Sequence, residues 1–385
     1  MYSGSTLWIW QQAAWPDFHW QEVALQPLLR ELHRTLGVLL GRAGSHVETA
    51  SPQAQLDTLL QNIITSSAIE GEQLNAFSVR SSLARRLGVA ANDTLEYPVT
   101  DRTEGLAELM MDAVGNLAVP LTAQRLYQWH RWLFPAAEQS LVRIRVGELR
   151  GEEPMQVVSG RIDRPHVHFE APPRQGLEAG LQQFLNWFEQ SRQQPELDPL
   201  LRAGIAHLWF ITLHPFDDGN GRLVRAITDL ALAQSDAQTI RLYAMSASIL
   251  DQRKGYYTIL EQSQRGDMDI TDWLCWFLQA LQDALAQALT QVDRVLMKSR
   301  FWQQFRDQPL MPSQIKVLNR LLEGGEDNFP QGISAAQYQK VAKVSKATAT
   351  RHLVALVACG CLEKLAGGGR STRYQISVNS VRNGM

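Results

Sequence analysis

Residues 198–230 constrain this chain more than any other stretch, because two helical periodicities are joined there by a loop too rich in chemistry to be a plain connection. Asp198 and Pro199 open the first, as N-cap and first-turn residue, and Leu201, Ile205, Leu208 and Trp209 recur on one face until Pro215 stops it. Leu223, Ile227 and Leu230 mark the buried face of the second, which begins near Arg222. Between them runs His214-Pro215-Phe216-Asp217-Asp218-Gly219-Asn220-Gly221. Gly219 and Gly221 tolerate positive φ and let backbone N–H groups crowd around an anion at the start of the second helix. Arg222 and Arg225 lie three apart and point the same way, toward whatever the loop holds. A base, an acid, clustered amides and two guanidinium groups within twelve residues are the inventory of a phosphate-transfer site.

Simpler patterns do not account for the segment. Counted from Asp217, the third position of a calcium loop would be Gly219 and no acid follows at the twelfth. The later glycine of a dinucleotide fingerprint is replaced by Val224, the preceding element is a helix instead of a strand, and there is no P-loop. Taken alone, His214 could equally be a helix-end histidine satisfied by a carbonyl.

All twelve positions together, His214 to Arg225, match His-x-Phe-x-[Asp/Glu]-Gly-Asn-Gly-Arg-x-x-Arg at every specified place, and the segment resembles the signature of the Fic (filamentation-induced-by-cAMP) family. The resemblance implies a mainly α protein with a helical core and a small β-hairpin, the flap. It implies transfer of AMP from ATP to a hydroxyl side chain (Ser, Thr or Tyr) of a target protein. His214 would be the general base, which suits a side chain able to take a proton near neutral pH from a weak hydroxyl nucleophile. Asp218 would hold Mg²⁺ against the phosphates. The amides of Gly219, Asn220 and Gly221 with Arg222 would cradle the phosphates, Arg225 would reach the far end of the triphosphate, and Phe216 would anchor the loop in this ATP-binding segment.

A second motif lies upstream. Leu56, Leu59, Leu60, Ile63 and Ile64 recur at helical spacing, and the helix runs through Ser66 and Glu70 to Gly71 as its cap. Beside the first signature, Ser66-x-x-x-Glu70-Gly71 resembles the family's inhibitory motif. The implied role is competitive electrostatics: Glu70 pairs with Arg225 where the γ-phosphate should sit. An autoinhibited adenylyltransferase is the reading this favours. The alternative is a DNA-binding regulator whose core senses nucleotide or removes AMP from a modified protein.

Gly147-Glu148-Leu149-Arg150, Met155 to Gly160 and His166 to Phe169 break the helical pattern around a Gly/Asp/Pro-rich turn and read as a β-hairpin. In the family, a target protein would dock on it by strand addition. His166 and His168 alternate on one strand, but no carboxylate or cysteine near them in sequence completes a metal set. Arg253 to Tyr257 opens a helix that the family places near adenine, where Tyr256 would either contact the base or pack in the core.

The 385 residues allow two or three domains. We expect a Trp-rich helical region over 1–100 carrying the inhibitory helix, the catalytic core over 101–290, a helical linker over 291–310 and a further domain over 311–380. Trp8, Trp10, Trp15, Phe18 and Trp20 would pin the N-terminal arm to the core. In the last domain, helices over 313–323, from Ser334 to Val341 and from Ser345 onward, the third with Leu353, Leu356 and Val357 inward, precede two short strands. That order resembles a winged helix-turn-helix. From Met311 to Met385 there are ten Lys or Arg against four acids, plus six, while the whole chain is minus two. Lys346, Thr348, Arg351, Arg370 and Arg373 are the candidate DNA contacts, with protein docking as the other use. Three cysteines give neither a disulfide framework nor zinc spacing, and no leader or membrane span is legible, so a cytoplasmic protein is expected. Pairing of two copies is left open.

Overall fold

The structure, a computed structural model, describes residues 7–44, 52–89, 98–135, 144–161, 164–236, 242–324, 329–365 and 372–377. In chain order it comprises α1 (Glu22–Gly44), α2 (Pro52–Ile69), α3 (Ala76–Leu87), α4 (Asp101–Gly115), α5 (Ala123–Leu133), β1 (Gln156–Arg161), β2 (Arg164–Glu170), α6 (Leu177–Gln190), α7 (Pro199–Leu213), α8 (Asn220–Asp236), α9 (Met245–Asp251), α10 (Arg253–Gln264), α11 (Thr271–Gln304), α12 (Pro312–Glu323), β3 (Ile333–Ser334), α13 (Ala335–Ala342), α14 (Lys346–Ala358), β4 (Leu362–Lys364) and β5 (Arg373–Ile376). The mainly helical fold is the one expected. Two compact units are formed, Met1–Leu40 with Ala50–Ala288, and Gly41–Thr49 with Leu289–Met385.

The centre of the first unit is α7, which is buried at every position from Leu200 to Leu213. A helix apolar all round belongs inside a bundle, so the single stripe read from the sequence understates its burial. Asp198 caps it by accepting from the Leu200 amide at 2.8 Å, with Pro199 in the first turn. Helix α8 packs along α7, and α2 lies against α3, α4, α8 and α9. Leu56, Leu59 and Ile63 of α2 are buried as expected, but Leu60 and Ile64 are only half-buried. Asn62, Ser66 and Ser67 are buried instead, because α2 also turns a polar face to α8, where the Asn62 amide donates to Asp229 at 3.3 Å.

The N-terminal residues pack into this same unit. Trp8 meets Phe169 edge-on at 5.4 Å, the Trp10 indole donates to the Glu170 carbonyl at 2.7 Å, and Trp15 and Phe18 pack edge-on to Trp209. Strands β1 and β2 form the expected antiparallel hairpin, preceded by a turn over Gly147–Arg150 that is not part of it. Val157 pairs with Phe169 and Val158 with Val167, so His168 is the extra residue of a β-bulge.

In the second unit, Ser334 caps α13 through a reciprocal capping box with Gln337, and Ser345 caps α14 by accepting from the Thr348 amide at 3.2 Å. Strands run in the order β3-β5-β4, with β3 too short for sequence alternation to announce it. Val317, Leu318, Leu322, Tyr338, Leu353 and Leu356 form the core. Val357, expected inward, is exposed, because the buried stripe of α14 runs through Ala349, His352, Leu353 and Leu356. His352 holds its place in that stripe through Tyr338 Oη at 3.1 Å from its Nδ1.

Candidate active site

His214 ends α7 in the left-handed conformation, φ 47°, its amide still donating to the Phe210 carbonyl. This reversal lifts the imidazole off the helix axis. Its Nδ1 lies 3.2 Å from the Ile211 carbonyl, which can only accept, so Nδ1 carries the proton and Nε2 is left bare as a base. Burial drives the ring's pKa down to about 4; the nearby Arg150 guanidinium adds to this, while the Ile211 carbonyl, Glu70 and Asp218 oppose it. At neutral pH the group is therefore an uncharged base.

The loop after His214 is closed from within. Asn220 accepts from the Phe216 amide at 3.0 Å and donates to the Phe216 carbonyl at 2.8 Å, so its side chain clamps the turn. Phe216 is fully buried and stacks on His130, ring centroids 4.4 Å apart and 13° from parallel. The Gly147 amide donates to His130 Nδ1 at 3.0 Å, which assigns the ring's proton to Nε2, and Nε2–H donates to the Asp218 carbonyl at 3.1 Å. Arg150 donates from Nε to the His214 carbonyl at 2.8 Å and from its backbone to the Pro215 carbonyl at 3.0 Å. His130 and Arg150 were missed in the sequence because both act on backbone carbonyls of the loop, for which no residue pattern exists.

Gly219, φ 83°, tolerates no side chain, since a Cβ there would fall 2.7 Å from Leu133 and 2.9 Å from Phe134. Asp218 is 56% exposed, with one oxygen accepting from the Gly219 amide and lying 3.7 Å from Arg222.

The Ser66-to-Glu70 motif meets Arg225 directly. Arg225, 2% exposed, donates from Nε to Ser66 Oγ at 2.8 Å, and from Nη2 to the Ser66 carbonyl at 2.9 Å and to Glu70 Oε1 at 2.7 Å. Its Nη1 is buried and makes no hydrogen bond among the described residues, as is Arg222 Nε. A Cβ at Gly221 would lie 2.1 Å from Glu70 Oε1, so the carboxylate occupies the space over the first turn of α8. Burial works against the charged form of Glu70, but Arg225, Arg222 and Arg253 hold its carboxyl below the usual range. Glu72, not singled out in the sequence, accepts from Arg222 at 2.8 Å and from both Nε and Nη2 of Arg102.

The two tyrosines divide. Tyr256 is 2% exposed and bonds His207 Nε2 at 2.9 Å, while His207 Nδ1 reaches Thr228 Oγ1 at 2.8 Å. Of the two uses read for it, core packing is the one this burial matches. Tyr257, 40% exposed, presents its ring beside the end of α2, its hydroxyl 3.4 Å from the Ile69 carbonyl. The expectation that His166 and His168 lack a carboxylate needs correction: Glu261, far away in sequence on α10, lies 2.7 Å from His168 Nδ1.

In the second unit, Lys346 and Arg351 are exposed on α14, and Thr348 is half-buried in the cap with Ser345. Arg373 is half-buried and donates from Nη1 to the Gly332 carbonyl at 2.9 Å. Arg370 lies outside the described residues.

A neutral imidazole, a glycine-rich loop at a helix start and two arginines held by carboxylates stand together at the junction of α7 and α8. The chain carries a Fic domain: residues 120–232 match the Fic/DOC family, and residues 8–89 match a domain of unknown function, DUF4172. It is 25% identical over 221 residues to protein adenylyltransferase Fic of Drosophila mojavensis, covering 57% of this chain and 39% of that protein. The corresponding protein of Nematostella vectensis is 23% identical over 216 residues, 55% of this chain and 45% of that protein. The chain thus spans less than half the length of these curated relatives. Among solved structures, a Fic family protein from Desulfovibrio desulfuricans G20 aligns with a TM-score of 0.53 at 21% identity, covering 92% of this chain and 96% of that one. Fic-1 from C. elegans aligns with a TM-score of 0.50 at 19% identity over 72% of this chain and 74% of that one. These likenesses concern the fold.

Proposed function

We propose that the chain is an autoinhibited protein adenylyltransferase that moves AMP from ATP to a hydroxyl side chain of a target protein. The carrying observation is the engagement of the buried Arg225 by Glu70, with a further guanidinium nitrogen left unpartnered beside it. With Glu70 withdrawn, the guanidinium is free to take the γ-phosphate, and Arg222, released from Glu72, turns with the loop amides to the other phosphates. His214 Nε2 then accepts the proton of the target hydroxyl as its oxygen bonds to the α-phosphorus. The bond from that phosphorus to the bridging oxygen breaks, and pyrophosphate leaves. The exposed carboxylate of Asp218 suits Mg²⁺, which takes one or two protein carboxylates and completes its shell with phosphate oxygens and water; bound there it would neutralise phosphate charge. Tyr257, not Tyr256, is the ring available to the adenine.

The target would add as a strand to the flap. Carbonyls of β2 are already taken, Val167 by Arg265 at 2.8 Å and Glu170 by Trp10, which favours the open edge of β1. For the second unit we propose a winged-helix module. Lys346 and Arg351 on α14 and the net positive charge of this end of the chain favour a nucleic-acid partner, and the assembly is read as cytoplasmic.

The test is incubation of wild type and Glu70→Gly with ATP labelled on the α-phosphate. Strongly raised self-labelling in the variant is expected. Equal labelling at equal ATP affinity overturns the inhibitory reading, and label that comes only from another nucleotide overturns the assignment of ATP.

A further inference from the structure

The flap meets α10 at a point that AMP transfer does not use. His166 and His168 stand on β2 with ring centroids 4.4 Å apart, and Glu261 reaches across from α10 to place Oε2 2.7 Å from His168 Nδ1. One ligand atom from each of His166, His168 and Glu261 lies within 4.8 Å of the other two. His166 and His168 are two positions apart on β2, with His168 the unpaired residue of the bulge.

The surroundings are those of a ligand set. Ser159, paired with His166 across the hairpin, sets its hydroxyl 2.5 Å from His168 Nε2, which leaves Nδ1 as the nitrogen facing the carboxylate. A ligating imidazole is ordinarily oriented in this way, by a partner on its other nitrogen. The nearest cation, Arg265, sits 3.4 Å from Glu261 Oε1 and donates to the Val167 carbonyl, so Oε2 stays with the histidine. Bonds of about 2.0–2.1 Å in a tetrahedral site put ligand atoms roughly 3.4 Å apart. Rotation of the exposed His166 ring closes the remaining gap.

We propose that His166, His168 and Glu261 bind a divalent transition ion of the zinc class. Two imidazoles and one carboxylate fill three positions and leave the fourth to water, while Mg²⁺ and Ca²⁺, which demand oxygen ligands, are excluded. Such an ion replaces the proton between His168 and Glu261 and fastens β2 to the helix that carries Tyr257. The flap is then tied to α10 by more than the hydrogen bond of His168 to Glu261. The site stands whether or not the core transfers AMP.

The whole chain, stripped with chelator and dialysed, is titrated with Zn²⁺ against a chromophoric chelator, alongside His166→Ala, Glu261→Gln and the His166→Ala/His168→Ala double variant. Wild type is expected to bind one more ion than the His166→Ala/His168→Ala double variant, and each single variant to hold that ion at least about tenfold more weakly. Excess Mg²⁺ does not displace it. Cys359 and Cys361, with sulfurs 3.4 Å apart in the other unit, contribute equally to every chain, so the difference belongs to the flap. His166 is exposed, so its loss does not threaten folding; amide exchange of β2, slowed by Zn²⁺ in wild type only, gives a second readout. Identical zinc stoichiometry and affinity in wild type and variants overturn the site and leave a plain His–Glu pair.

Discussion

Removing Glu70 should weaken the protein while opening it to nucleotide, and the two effects can be separated. Arg225 is almost fully buried, and in Glu70→Gly its guanidinium loses its one carboxylate partner among the described residues while keeping both bonds to Ser66. Stripping one member from a buried ion pair costs about 3–5 kcal/mol. The Glu70 side chain is 32% exposed, which screens part of the attraction, and the Ser66 bonds survive, so about 2 kcal/mol is expected here. For a unit of this size that lowers the first unfolding transition by about 5 °C. ATP with Mg²⁺ at about 100 times its Kd returns about 2.7 kcal/mol to whichever chain can bind it. The variant should thus melt below wild type without nucleotide and recover to or above it with saturating ATP, while wild type moves little. Scanning calorimetry at several ATP concentrations reads both. A variant as stable as wild type without nucleotide, or a wild type that gains as much from ATP, refutes the assignment of Glu70 as occupant of the phosphate site.

Further tests reach the base and the second unit. In the Glu70→Gly background, His214→Ala should lower transfer about 10²-fold or more with ATP affinity nearly unchanged, measured by labelling and calorimetric titration; equal loss of binding would make the ring a phosphate contact instead. The pH profile follows from the depressed pKa of His214, about 4. The neutral, basic form persists as pH falls and is lost only as pH drops through that value, so kcat/KM of the Glu70→Gly chain at pH 5.5 should stay within about twofold of its value at pH 7.5. A base with the ordinary pKa near 6.5 would lose roughly tenfold over that range. If the second unit binds duplex DNA, affinity should fall steeply between low and moderate salt, with roughly one unit of log–log slope lost in each of Lys346→Ala and Arg351→Ala. Arg373→Ala should lower the slope less than either, since Nη1 of that half-buried guanidinium is engaged by the Gly332 carbonyl. Absence of duplex binding at low salt assigns the unit to protein docking.

What was legible in the sequence follows the range of the interactions involved. Caps and turns are local, so Asp198, Ser334 and Ser345 announced their helices, and His214 to Arg225 carried its chemistry in consecutive positions. The contact of Ser66 and Glu70 with Arg225 spans more than 150 residues and entered only through the family likeness, yet it shares one physical basis with the local motif. A spacing of four from Ser66 in α2 to Glu70, one residue past its end, and of three in α8 each bring polar groups to one side, and packing brings the two sides together. The groups that stayed hidden lack any such spacing. Arg150 and His130 act on carbonyls, Glu72 bridges two arginines on different helices, and Glu261 meets His168 from 93 residues away in sequence. Tyr256 and Tyr257 show the same limit at one residue's resolution: adjacent helical positions point about 100° apart, and the depth of α10 decides which ring is core and which is surface. Every hidden group positions either the His214 loop, the arginines or the flap. The twelve-residue signature therefore specifies the reacting groups, while the fold supplies the restraints that decide when those groups can act.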